Sequence, residues 1–309
     1  MTLQVLNISK RYSNRWILRD VSLSVEKGRV LGLLGLSGSG KSTLLRILAG
    51  IEKASSPAQV LDSRHFTLLP AERDQRPSWF FGRKEGPSFD PLRLEKAIAG
   101  ANDVLLLDDP LALADQIQRR ESIEMIRRAA AEKQIAVVYA TSDFQTAAAV
   151  ADEIAVINET VIEQNGKPYD IFESPVSSAV ARITGRCNIF PARRLTSTKF
   201  EIPEFQTIDG GHRLFAEKAD IAKLGAINRN ISLMIRPENV TMSFGSSFPE
   251  DNLLRARVRS IKFLGPTVVV ELDADGLALE AMVFRLVSLN VGDECMLGLP
   301  PDRIKILRD

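Results

Sequence analysis

The chain has 309 residues, 45% of them apolar, which suits two globular domains, each with a buried core. Its 40 Lys and Arg against 39 Asp and Glu leave a formal charge of +1, so no charge excess directs it to nucleic acid or to an acidic membrane surface. Two cysteines, Cys187 and Cys295, stand too far apart for a disulfide framework or a metal-ligand spacing, which points to a reducing cytosol. The start, MTLQVLNISK, lacks the charged-then-apolar pattern of a secretion signal, and no apolar run approaches the roughly 18 to 20 residues of a membrane span, so any membrane role needs a separate partner.

Residues 1–30 alternate apolar and polar side chains, as in VLNISKRY and VSLSVEKG, with turn signals at Ser13-Asn14 and Lys27-Gly28. This predicts strands of a half-buried antiparallel sheet. From Val30 the pattern becomes VLGLL, then a glycine-rich stretch, then STLLRILAG with apolar residues at helical spacing and Gly50 as a stop. That is strand, loop and helix. ANDVLLLDD reads as a buried strand ending in acids, and residues 115–133 as a helix in which Glu124 is spaced to pair with Arg127 or Arg128. IAVVYAT, DFQTAAAVAD and EIAVIN continue as strand, helix and strand, the alternation of a mainly parallel α/β sheet. The first domain is expected to span 1–185. In 186–309 the helical period fades into short runs, ISLMI, RARVRSIKFL, TVVVEL, LALEAMVF and CMLGL, with turns at Gly265-Pro266 and Asp275-Gly276. These predict a small β-barrel or sandwich.

Gly35, Leu36, Ser37, Gly38, Ser39, Gly40, Lys41, Ser42 and Thr43 fit the phosphate-loop pattern in full, between a strand and a helix as that pattern requires. The glycines let backbone N–H groups turn inward around a β-phosphate at a helix N-terminus; Lys41 meets the β- and γ-phosphates, and Ser42 can ligate Mg²⁺. Asp108, ending the run VLLLD, is positioned to hold the water shell of the same magnesium ion. ATP with Mg²⁺ is therefore the expected ligand pair.

With these motifs in place, the chain resembles ATP-binding cassette (ABC) subunits of membrane importers, those with a C-terminal regulatory β-domain of TOBE type. LRDVSLSVEKGRVLGLLG, LLLDDPLALAD, ADEIAVINETVIEQNGKPYDIFESP and MIRPENV are similar to segments of that family. The resemblance implies an α/β P-loop nucleotide-binding domain, mainly parallel with N-terminal antiparallel strands, followed by a small all-β, OB/TOBE-like domain. It implies that Tyr12, in Lys10-Arg11-Tyr12, stacks on adenine; the plain alternative is a tyrosine on a sheet surface. Asp115 matches the residue ending the loop that touches a partner subunit, a role compatible with capping the following helix. Transmembrane permease subunits are the implied partners, with no nucleic acid, and the implied place is cytoplasmic, on the inner face of the cell membrane.

The chain also departs from that family. No LSGGQ-type signature occurs, and Lys41 and Asp108 are 67 positions apart (108 − 41). That is roughly fifty fewer than in relatives, so most of the helical subdomain carrying the signature is expected to be missing. The bridge SWFFGRKEGPSFD, 78–90, has no glutamine near 80–82 to sense magnesium and contact a permease. Asp109 stands where relatives place the glutamate that orients attacking water, a weakened general base, since misplacement by about 1 Å can cost about 10²-fold in rate. The family's T-H-D reads Thr141-Ser142-Asp143, so Ser142 replaces the switch histidine, and His65 and His212 offer no obvious rescue. The resulting expectation is an importer subunit that binds Mg-ATP with weakened or absent hydrolysis. A second cassette subunit would supply the signature, in a heterodimer rather than a homodimer. Two alternatives stand beside it. One is a pseudo-ATPase regulator or scaffold. The other is a P-loop kinase with Arg73, Arg76, Arg83 and Arg93 as an arginine lid, which leaves the N-terminal sheet and C-terminal domain unexplained.

Overall fold

Alternating burial carries the first segment into a hairpin. In β1 (Leu3–Tyr12) the residues Leu3, Val5 and Ile8 are buried, and in β2 (Arg15–Val25) Leu18, Val21, Leu23 and Val25 are. The strands pair antiparallel around Ser13-Asn14. The computed structural model describes residues 3–56, 59–61, 66–71, 88–195, 202–219, 224, 226–243, 252–284 and 289–307. These fall into two units, Met1–Glu173 and Ser174–Asp309.

In the first unit, β3 (Val30–Leu34) leads through the glycine-rich loop into α1 (Lys41–Leu48), and β4 (Gln59–Leu61) adds to the far edge of β1 in a sheet ordered β2-β1-β4. The chain continues with β5 (Phe66–Leu69), α2 (Pro91–Gly100), β6 (Val104–Asp108), α3 (Gln116–Lys133) and β7 (Ala136–Thr141). It closes with α4 (Phe144–Val150), β8 (Glu153–Asn158), β9 (Val161–Gly166) and α5 (Pro168–Glu173). The main sheet is ordered β5-β6-β7-β3-β8-β9 and is parallel except for β9. Every residue of β3, β6 and β7 is buried, the signature of parallel strands covered on both faces, and explains why they read as unbroken apolar runs. Because β3 lies between β7 and β8, the C-terminal ends of β3, β6 and β7 sit together at one rim, where ligands bind in open α/β sheets.

Of the two partners expected for Glu124, Arg127 or Arg128, the first is drawn into packing between helices. Arg127 donates to the Val150 carbonyl at 3.0 Å and approaches Asp152 at 3.9 Å, both at the end of α4. Sequence spacing along one helix could not foresee a partner on the next.

The second unit begins with α6 (Ser178–Thr184) and β10 (Asn188–Arg194), then β11 (Glu204–Thr207), β12 (Arg213–Phe215), β13 (Asn230–Ile235) and β14 (Thr241–Ser243). There follow β15 (Asn252–Phe263), β16 (Val268–Ala274), β17 (Leu277–Val283), β18 (Glu294–Leu299) and β19 (Lys305–Leu307). Two antiparallel sheets result, β12-β11-β10-β13-β19 and β14-β18-β15-β16-β17. Strict alternation in β15 sends Leu254, Ala256 and Val258 into a shared core with Phe190, Phe205 and Leu297, and turns Arg255, Arg257 and Arg259 to solvent. Arg236 is 2% exposed and fastens α6 to this unit, donating to the carbonyls of Ala181 and Arg186 and to Thr184 Oγ1. An α/β unit with N-terminal antiparallel strands followed by an all-β unit is the architecture the sequence implied.

Candidate functional site

The glycine-rich loop leaves β3 at Gly35 and enters α1 at Lys41. A Cβ on Gly35 would stand 2.5 Å from the Ile157 carbonyl oxygen, so the loop passes β8 at a distance only glycine permits. Gly40, the residue before the helix, has φ 101, and a Cβ there would meet Leu18 and the Ile17 carbonyl within 3 Å. Left-handed backbone at that point is the loop geometry that lets successive N–H groups turn toward a bound anion. Leu36, Ser37 and Gly38 are exposed, while Lys41 is buried to 9% exposure.

Lys41 Nζ donates to the carbonyls of Gly35 at 2.8 Å and Leu36 at 2.9 Å, so the ammonium group spans the loop it belongs to. Burial pushes its pKa down, and the nearby carboxylates of Asp109 and Asp108 pull it partly back. Asp108 ends β6 and is buried, and Ser42, one residue beyond Lys41, is half-buried. The sheet thus gathers residues from two strand ends, although Lys41 and Asp108 are 67 positions apart in sequence (108 − 41).

Asp109 follows β6 with φ 47, a left-handed conformation for a residue with a side chain. Two hydrogen bonds hold it there. Its N–H donates to the Ala140 carbonyl at 2.8 Å, and Thr141 Oγ1 donates to its Oδ1 at 3.0 Å. Thr141 in turn accepts from the Asp143 N–H at 3.1 Å, and Asp143 caps α4 through the N–H groups of Gln145 and Thr146. Ser142 is exposed beside this chain of bonds. Asp109, Arg119, Tyr139, Thr141 and Ser142 line part of one cavity of about 310 Å³. Tyr139 is fully buried there, and burial, with the Asp109 carboxylate nearby, pushes its pKa up, so the phenol stays protonated.

Tyr12 ends β1 with 44% of its surface exposed, and its hydroxyl donates to Glu52 Oε1. Asp115 forms a reciprocal cap with Gln118: it accepts from the Gln118 N–H at 2.8 Å, and its own N–H donates to Gln118 Oε1 at 3.0 Å. His212 belongs to the second unit, where its ring meets the Ala274 carbonyl at 2.7 Å. His65, Arg73, Arg76, Arg83 and positions 80–82 lie outside the described residues, and Arg93 stands in the first turns of α2. The sequence reading missed Thr141 as the partner of Asp109 and Glu52 as the partner of Tyr12; neither carries a local signal, because the partners are 32 and 40 positions away.

A parallel sheet whose strand end opens into a lysine-bearing glycine loop and a helix defines a phosphate-loop nucleotide-binding protein. The family model described as ABC transporter matches residues 18–80, and the one described as TOBE domain matches residues 233–307. The chain is 28% identical to the sulfate/thiosulfate import ATP-binding protein CysA of Bacillus cereus over 371 aligned positions, covering 99% of this chain and 98% of the relative. It is 27% identical to the spermidine/putrescine import ATP-binding protein PotA of Clostridioides difficile over 357 positions, covering 99% and 97%. A solved ATP-binding subunit of an ABC transporter overlays 55% of this chain and 92% of its own at a TM-score of 0.44 and 18% identity. Along its whole length the chain is thus similar to ATP-binding subunits of ABC importers, with a match to the ABC transporter model in its first half and to the TOBE domain model in its second.

Proposed function

We propose that the chain is the subunit of a membrane importer that holds Mg-ATP on Gly35 to Thr43 and hydrolyses it slowly or not at all without help. The observation that carries this reading is the contrast within one rim. The phosphate cradle is complete, with Lys41 spanning it, whereas the positions expected to activate water hold a shorter acid and a serine. Lys41 would meet the β- and γ-phosphates, and Ser42 and Asp108 would hold Mg²⁺. Among the described residues no cluster of three or more His, Cys, Asp or Glu could bind a metal by itself. One hydroxyl and one carboxylate suit Mg²⁺, which takes its remaining ligands from phosphate and water.

Asp109 would be the general base and Ser142 the γ-phosphate contact. Thr141 already occupies one Asp109 oxygen, which leaves the other to face a water in the adjoining cavity. An alignment of 371 positions against a chain of 309 residues means that the relative contains segments this chain lacks. Together with the absent signature, this supports a mixed dimer in which a second cassette subunit supplies the signature across the ATP of this one. The nucleotide-binding domain would span 1–185 and the regulatory β-domain 186–309. Transmembrane permeases would be the membrane partners and hold the chain at the inner face; among the described residues no helix is long and apolar enough to cross a membrane. Relatives named for sulfate and for spermidine import select no single solute for this chain.

The test is nucleotide binding and turnover by the purified chain, native and Lys41→Ala. ATP binding that depends on Lys41, with negligible turnover, is expected; turnover at ordinary transporter rates by the chain alone overturns the proposal. Recovery of the native chain with a permease and a complete cassette favours the importer. Recovery without membrane components favours a pseudo-ATPase regulator, the reading that the missing signature also allows.

A further inference from the structure

Tyr12 is exposed, yet its ring is held. Its hydroxyl donates to Glu52 Oε1, Lys10 Nζ sits 2.9 Å from the same oxygen, and that ammonium group lies 4.9 Å from the centroid of the Tyr12 ring. Lys10 is fixed in turn by donating to the Lys53 carbonyl at 2.7 Å. Glu52 reaches this point because the chain past α1 curls back, with the N–H groups of Ile51 and Glu52 both donating to the Arg46 carbonyl. The charged pair is not loose on the surface: its side chains are 13% and 20% exposed. The three residues form a closed set in which one carboxylate ties down both the phenol and the cation above its ring.

Two consequences follow from that geometry. Lys10 takes one face of the ring by a cation–π contact, so only the other face is open to a planar ligand. Immobilising a tyrosine before it is used removes side-chain ordering from the cost of binding. The electrostatics agree with a persistent bond. The Glu52 carboxylate that accepts from the phenol raises the Tyr12 pKa, with burial adding to it. Burial pushes the Glu52 pKa up, but Tyr12 and Lys10 more than offset this, so Glu52 stays ionised. Leu18, which pairs with Lys10 in the hairpin, packs against Gly40, and this brings the end of β1 beside the phosphate loop.

We propose that Glu52 and Lys10 are positioning residues for nucleobase recognition, holding Tyr12 with one face blocked and the other presented to a base whose phosphates lie on Gly35 to Thr43. This rests on the reading of that loop as the nucleotide site, and the experiment separates the two. Binding of ATP and of inorganic tripolyphosphate is measured on the full chain for the native protein and for Tyr12→Ala, Glu52→Ala, Glu52→Gln, Lys10→Met and Lys41→Ala. Because stacking on an aromatic side chain contributes a large share of base affinity, Tyr12→Ala and Glu52→Ala should weaken ATP by about 10-fold and leave tripolyphosphate within about twofold. Lys10→Met should weaken ATP less. Glu52→Gln, which can still accept from the phenol, should restore part of the loss. Lys41→Ala should weaken both ligands.

Equal weakening of ATP and tripolyphosphate by Glu52→Ala and Glu52→Gln would show a structural role for the carboxylate and overturn the proposal alone. Unchanged ATP binding by Tyr12→Ala does the same. Undiminished binding of both ligands by Lys41→Ala overturns the phosphate-loop reading, and this proposal with it.

Discussion

Replacing Gly35 by alanine puts the loop's path past β8 to a direct test. The new Cβ would stand 2.5 Å from the Ile157 carbonyl oxygen, 2.6 Å from Ser39 Oγ and 2.7 Å from Ile157 Cγ2. Ser39 can turn away. Ile157 cannot, because it is fully buried and sits in a strand paired with both β3 and β9. The loop must therefore retreat by about 1 Å to reach ordinary contact, at the cost of overpacking, about 1–3 kcal/mol. That is a fraction of the roughly 5–15 kcal/mol that keeps a domain folded, so the chain should stay native while its cradle shifts. The shifted carbonyl of Gly35 is also the one that Lys41 holds at 2.8 Å. ATP affinity should fall at least about tenfold, in line with the roughly 10²-fold penalties that displacements of about 1 Å bring to binding and catalytic geometry. Gly38→Ala is the control. It has φ 83 but nothing within 4 Å of a Cβ, so it carries only the left-handed strain of about 1–2 kcal/mol. Titration with a fluorescent ATP analogue, alongside urea unfolding, reads both quantities. Native-like ATP binding by Gly35→Ala, or a larger loss in Gly38→Ala, refutes the reasoning.

Further expectations concern neighbouring groups. Asp109→Glu should raise ATP turnover by about 10-fold or more in the presence of a signature-bearing partner subunit, since it restores the reach of the base; steady-state phosphate release checks this. Thr141→Val removes a buried hydroxyl that both donates and accepts, and should cost about 1–3 kcal/mol in urea unfolding, whereas Thr141→Ser should cost far less. Lys41 has a pKa below the ordinary lysine value of about 10.4, so between the two values the unfolded chain binds more protons and stability should rise with pH. Lys41→Met should remove that rise, seen as the difference between the two proteins' urea midpoints across the alkaline range. Arg236→Met removes three hydrogen bonds made by a side chain only 2% exposed and should destabilise the C-terminal unit by about 1–3 kcal/mol, measured by thermal unfolding of the full chain.

How far the site could be read in advance depended on how local each feature is. The phosphate loop was legible because glycine, lysine and the flanking strand and helix all lie within about twenty residues. The helix of 116–133 was legible for the same reason, and its cap joins residues three apart. Arg127 shows the limit. Spacing along the helix favoured Glu124, but packing of α3 against α4 brought Asp152 into reach. The bond from Thr141 to Asp109 and the contact of Tyr12 with Glu52 were invisible for the same reason, since each joins segments whose proximity is created by the sheet or by the turn after α1.

By itself, the sequence determined which chemistry is present: a nucleotide cradle, an acid after a buried strand, a missing signature, and a β-rich C-terminal half. Residue type and short-range spacing carry that information, because the backbone conformation of a loop or a cap depends on its immediate neighbours. Only the tertiary structure decided how those groups act on one another. It placed Lys41 across its own loop, set Asp109 against Thr141, and clamped Tyr12 between Lys10 and Glu52. Hydrogen bonds and charge contacts work over a few ångströms, and for residues forty positions apart that distance exists only after the chain has folded.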